Sequence, residues 1–109
     1  MTLTQERNIA IRQTIPSCIG KYSIRQVPAP RFYISEKQAE RLIYAYFRRV
    51  YPRLQEKKRL QIALVSTHDT LIKEFPTISK AELFSKIVMH PAPEFFITLR
   101  TFKSIINNQ

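Results

Sequence analysis

The side chains in this sequence that could hold a metal or pass a proton are few and far apart. Cys18, His90 and the adjacent His68 and Asp69 are scattered over different expected elements, whereas a zinc site draws its ligands from clusters at short spacings. Neighbouring positions on a helix do not face each other, so His68 and Asp69 are not expected to act as a pair. Cys18 has no neighbour that would lower its pKa and reads as an inert helix thiol. Gly20 is the sole glycine, which leaves neither a glycine-rich phosphate loop nor a nucleophile elbow. These residues lead to the expectation of a non-enzymatic protein with no metal and no cofactor.

The chemistry that does recur at close spacing is cationic. Arg48, Arg49, Arg53, Lys57, Lys58 and Arg59 fall within twelve residues, opposed by Glu56 alone. Held near one another at the junction of two helices, they would make a dense surface for phosphate groups. Tyr44 and Tyr51 lie close enough to touch sugars or bases, while Tyr46 falls on an apolar stripe and is expected in the core. The whole chain carries 18 Lys and Arg against 8 Asp and Glu, a net charge of +10. Residues 1–65 hold 13 basic and 4 acidic side chains, so nearly all of the excess sits in the first half. Such a one-sided field attracts a polyanion.

Helices must position these cations, and the sequence supplies them twice. Pro28-Ala29-Pro30-Arg31-Phe32-Tyr33-Ile34-Ser35 returns as Pro91-Ala92-Pro93-Glu94-Phe95-Phe96-Ile97-Thr98, at an offset of 63. The same offset pairs Thr4 with Thr67, Ile9 with Ile72, Ile24 with Ile87 and Leu42-Ile43 with Ile105-Ile106. Residues 4–46 and 67–109 therefore read as two pseudo-repeats of a three-helix unit, joined by a basic helical connector over residues 47–66. Ser35 with Gln38, and Ser79 with Glu82, have capping-box spacing, and Thr98 can cap a last helix. Ala39, Leu42, Ile43, Tyr46, Phe47 and Val50 follow at helical intervals. The second helix of the first copy is weaker, because Gly20 stands where the other copy has Leu83. The stretch after Arg53 reads as one helix running to Phe75, or as two with a break near Ser66-Thr67. The expected fold is mainly α, a single domain in which both copies share one core. The two Phe-Tyr-Ile and Phe-Phe-Ile pieces could pair as a short ribbon, each being too short to be stable alone.

The helix from Ser35 resembles the recognition helix of helix-turn-helix proteins, with a capping serine, exposed polar residues and a small apolar anchor. The resemblance implies that Glu36, Lys37, Gln38 and Arg41 face a groove, and in the second copy Leu99, Arg100 and Lys103. A Pro-Ala-Pro and an apolar extended piece stand where that motif has a short turn. The motif from Pro28 to Ser35 also resembles one in short uncharacterised intracellular proteins of Bacteroidetes, where it too precedes a basic helix. The likeness covers about a fifth of the chain once, and a degraded form of it twice; it adds Arg31 to the candidate residues and departs in the second copy at Glu94. No activity comes with this resemblance.

No apolar run approaches the ~20 residues of a bilayer span, no signal peptide is read at the N-terminus, and a lone cysteine suits a reducing compartment. A cytoplasmic protein without a membrane partner is expected. Its expected ligand is nucleic acid, in double-stranded DNA form. The alternative is a protein-interaction module that binds an acidic partner or forms a homodimer through exposed Phe-Tyr-Ile edges.

Overall fold

The structure, a computed structural model, describes residues 1–14 and 24–107. Those residues form five α-helices: α1 (Leu3–Thr14), α2 (Glu36–Phe47), α3 (Gln55–Glu74), α4 (Lys80–Met89) and α5 (Leu99–Asn107). Among the described residues a 3-10 turn, Ile24–Gln26, precedes the first Pro-Ala-Pro. The fold is mainly helical, as its periodicity indicates. Pro16, Cys18 and Gly20, with most of the weak second helix expected around them, lie outside the described residues.

Side-chain caps set most helix starts. Ser35 Oγ accepts from Gln38 N at 3.1 Å, and Gln38 Oε1 accepts from Ser35 N at 3.4 Å, closing a full capping box on α2. Thr2 and Gln5 make the same reciprocal pair on α1. At α4 only the serine half forms, Ser79 Oγ accepting from Glu82 N at 3.3 Å. Thr98 Oγ1 accepts from Thr101 N at the start of α5. α3 is one unbroken helix, so the expected alternative of a break near Ser66-Thr67 is not realised. The hydroxyls there turn back onto the helix, Thr67 Oγ1 donating to Ala63 O at 2.9 Å and Thr70 Oγ1 to Ser66 O at 3.0 Å. Pro76 ends the helix one residue after its C-cap, Phe75.

α2, α3 and α4 pack on one another, and α1 lies on α5. Ile43 of α2, Leu64 of α3 and Ile87 of α4 are completely buried, in a core that also takes Ile11 of α1 and Phe102 and Ile105 of α5. The body is elongated, 44 × 25 × 24 Å.

The two Pro-Ala-Pro segments cross in the middle. Ala29 N donates to Ala92 O and Ala92 N to Ala29 O, both at 2.9 Å, as an isolated antiparallel bridge. Proline has no amide hydrogen, so the alanine is the only donor each Pro-Ala-Pro can offer, and the pairing cannot lengthen into a ribbon through the prolines. The aromatic pieces beyond the bridge meet by their rings. Phe32 stacks on Phe96 at 5.9 Å and Tyr33 on Phe95 at 6.0 Å, with planes within 11°. This corrects the idea of exposed Phe-Tyr-Ile edges: Phe32 is 1% and Phe95 5% exposed, so neither can offer itself to a second chain.

One buried polar side chain joins α3 to the end of α2. Gln61, 1% exposed, donates from Nε2 to Leu42 O at 2.9 Å and to Val50 O at 3.0 Å. Gln61→Leu keeps the volume but strips both carbonyls of this donor. Urea unfolding should show a loss of about 1–3 kcal/mol.

Candidate functional site

The exposed side of α2 carries Lys37, Arg41, Tyr44 and Arg48 at successive spacings of four, three and four, so they share one stripe. Together with Glu40 and Phe47 they line a shallow hollow of about 460 Å³. Glu40 is the one acid there, and Lys80 of α4 reaches it at 2.8 Å. That hydrogen bond and the carboxylate's charge raise the Lys80 pKa, which keeps the ammonium charged and cancels Glu40. Lys80 also sits 5.4 Å from the centre of the Tyr44 ring. Among the described residues no carboxylate pairs with Lys37, Arg41 or Arg48. The stripe is therefore cationic along its length.

Further cations follow α2 in the chain. Arg49 N donates to Tyr46 O and Val50 N to Ala45 O, at 2.9 and 2.8 Å. This is the Schellman pattern, which asks for a left-handed residue after the cap and usually finds glycine there. Here the residue is Arg49, with φ of 61°. Arg53 and Lys57 follow, also exposed. Phe47, Val50, Tyr51 and Leu54 are each more than half exposed around the same turn. Tyr46, expected in the core, is exposed too, its ring set edge-on to Tyr51. Ile43 is the last fully buried residue of the α2 stripe; beyond it Phe47 touches α3 through the edge contact with His68, and Val50 stands exposed in the turn.

Other expected contacts are otherwise engaged. Arg59 turns inward and grips Glu94 with two bonds, Nε to Oε2 at 2.9 Å and Nη2 to Oε1 at 3.2 Å. The side chains are 27% and 9% exposed, so Arg59 is withdrawn from the set that could meet a phosphate. Lys58 is half-buried. Arg31 donates to Phe32 O and lies 5.7 Å from the centre of the Tyr33 ring. Arg100 and Lys103 stand on the exposed side of α5. Contrary to expectation, His68 and Asp69 do meet, Nδ1 to Oδ1 at 3.0 Å. His68 is buried, with the Phe47 ring 5.5 Å away, and this neighbour pair closes over the edge of the core. No three His, Cys, Asp or Glu among the described residues gather as a metal site. No helix among them is long and apolar enough to cross a membrane.

A second concavity, of about 450 Å³, opens where the first turns of α2, α3 and α5 converge. Arg7, Arg41 and Lys57 supply its cations, Glu56 its single acid, and Tyr33, Phe95 and Phe96 its aromatic wall. Burial lowers the Arg7 pKa and raises that of Tyr33. Sequence reasoning missed Arg7, because a lone arginine on an N-terminal helix carries no spacing signal; only the packing of α1 on α5 brings it to this cleft. Comparison with family models, curated proteins and solved structures finds no match to this chain.

The different fates of the arginines can be measured. Arg59→Ala leaves the Glu94 carboxylate buried and unpaired, and should cost about 3 kcal/mol in urea unfolding. Arg53→Ala, on an exposed turn, should change stability by less than about 0.5 kcal/mol.

Proposed function

We propose that this protein binds nucleic acid without catalysis, taking double-stranded DNA through the exposed face of α2 and the arginine turn behind it. The observation that carries this reading is the stripe of Lys37, Arg41 and Arg48, which line one hollow and pair with no carboxylate among the described residues, with exposed Arg49 and Arg53 following in the chain. A row of this kind matches the regular charge of a phosphate backbone, and a single capped helix with a polar face is the element that enters a major groove. Arg49 strengthens it. A non-glycine residue in the left-handed region costs about 1–2 kcal/mol, and such strain is retained where the side chain is needed.

The reading extends to the internal repeat. The bridge joins Ala29 to Ala92, the positions equated by the offset of 63. Under the same offset the Phe32–Phe96 stack maps onto the Tyr33–Phe95 stack. The packing of α2 on α3 likewise maps onto that of α5 on α1. These contacts support two copies of one unit related by a pseudo-twofold axis through the bridge. The helix-turn-helix likeness rests on α2 and α5 alone, since residues 90–98 separate α4 from α5 where the motif has a tight turn.

A fluorescently labelled duplex should be retarded at low salt. With six phosphates met by Lys37, Arg41, Arg48, Arg49, Arg53 and Lys57, affinity should fall with a log–log salt slope of about −5. Arg48→Gln should reduce that slope by about 1. Arg49→Gly should stabilise the fold by about 1 kcal/mol while weakening the duplex. A slope near zero, or no retardation at low salt, removes the reading.

A second reading has its own observation. Phe47, Val50, Tyr51 and Leu54, all more than half exposed, form with the arginines the mixed aromatic, aliphatic and cationic surface common at protein interfaces. It predicts concentration-dependent dimerisation that Val50→Asp abolishes, and a monomer at every concentration in sedimentation excludes the homodimer.

A further inference from the structure

We infer that the cleft between the first turns of α2, α3 and α5 is a binding site for one nucleotide unit, its base against Tyr33 and Phe96 and its phosphate on Arg7 and Lys57. The inference does not rest on duplex binding by α2. The cleft volume of about 450 Å³ falls in the range of small-ligand sites. Its wall and its rim ask for different things of a ligand. Tyr33 and Phe96 are half-buried and line the cleft, each stacked on a buried phenylalanine that fixes its ring, with Arg31 also set over the Tyr33 ring at 5.7 Å from its centre. Fixed aromatic faces of this kind take a planar ring by stacking.

The rim asks for an anion. Arg7, Arg41 and Lys57 face one acid, Glu56. Arg7 is the informative cation. It is partly buried, enough to lower its pKa, yet its hydrogen bonds go only to the neutral amide of Asn8, at 3.1 and 3.0 Å. A guanidinium has five donors, so most of this group's donors are left for a ligand. A partly desolvated charge without a counter-charge is costly, and an anion in the cleft would offset that cost. Two of the three helix starts are capped, Ser35 and Thr98 holding the amides of Gln38 and Thr101, while α3 starts without a side-chain cap.

A planar ring joined to an anion is the chemistry of a free nucleotide and equally of the 5′-terminal nucleotide of a strand. Isothermal titration of the full chain separates the two sources. Adenosine monophosphate should bind one to one, at least about tenfold more tightly than adenosine or inorganic phosphate alone. Arg7→Gln and Lys57→Gln should each weaken it about tenfold, the loss of one charge-assisted contact. Arg48→Gln, outside the cleft, should weaken a duplex and leave the mononucleotide unchanged. If the source is a strand end, a 5′-phosphorylated single-stranded tetranucleotide should bind about tenfold more tightly still, and lose that gain without its phosphate. Circular dichroism confirms that the variants fold, and Lys57, being exposed, serves should Arg7→Gln unfold. The inference is overturned if neither the mononucleotide nor the tetranucleotide binds below about 1 mM. It is equally overturned if inorganic phosphate binds as tightly as the mononucleotide, or if both charge variants leave binding intact.

Discussion

Two amide hydrogens hold the halves of this molecule at their crossing. Each Pro-Ala-Pro carries one donor, at Ala29 or Ala92, and the two alanines spend theirs on each other. Their side chains are small enough for the backbones to meet inside the core, and the flanking prolines bar any longer ladder. That geometry sets the course of the chain beyond it: the Phe-Tyr-Ile and Phe-Phe-Ile pieces leave the crossing close together, stack their rings, and deliver α2 and α5 to either side of a shared cleft. The starts of those helices are thus placed by the bridge as much as by their own caps.

The same packing sorts the charges. Within one basic run, Arg59 turns to a buried carboxylate while Arg53 and Lys57 stay in water. Glu40 is neutralised by Lys80 from another helix. The outcome is a face on which Glu40 is masked by a cation from another helix, while Glu36 and Glu56 have no ion pair among the described residues and Arg59 is taken out of the basic run. Arg49 shows the cost of that surface most directly: the backbone there asks for glycine and receives a guanidinium.

The helices were largely legible from caps, prolines and periodicity. Ser35 with Gln38, Ser79 and Thr98 mark starts that the structure realises, and Pro76 follows the end of α3. The continuity of α3 was open because Ser66 and Thr67 can cap or bond backwards, and only the completed helix selects between them. The exposure of Tyr46 was hidden for another reason. Periodicity says which residues share a face, not how far along the helix its neighbours reach. The inward turn of Arg59 depends on Glu94, 35 residues away, and the cleft depends on Arg7, which no local pattern marks. Long-range pairing is what a single sequence displays least.

α3 places a further demand on how such a chain could arise or be divided. Its twenty residues form a rod of about 30 Å, and the first part binds the turn after α2 through Gln61 while the last part leads into α4. A cut between residues 66 and 67, where the two similar stretches divide in sequence, would sever this rod in mid-span and expose Leu64, Val65 and Leu71 on its stumps. Neither side of such a cut would keep its share of the common core covered without the other.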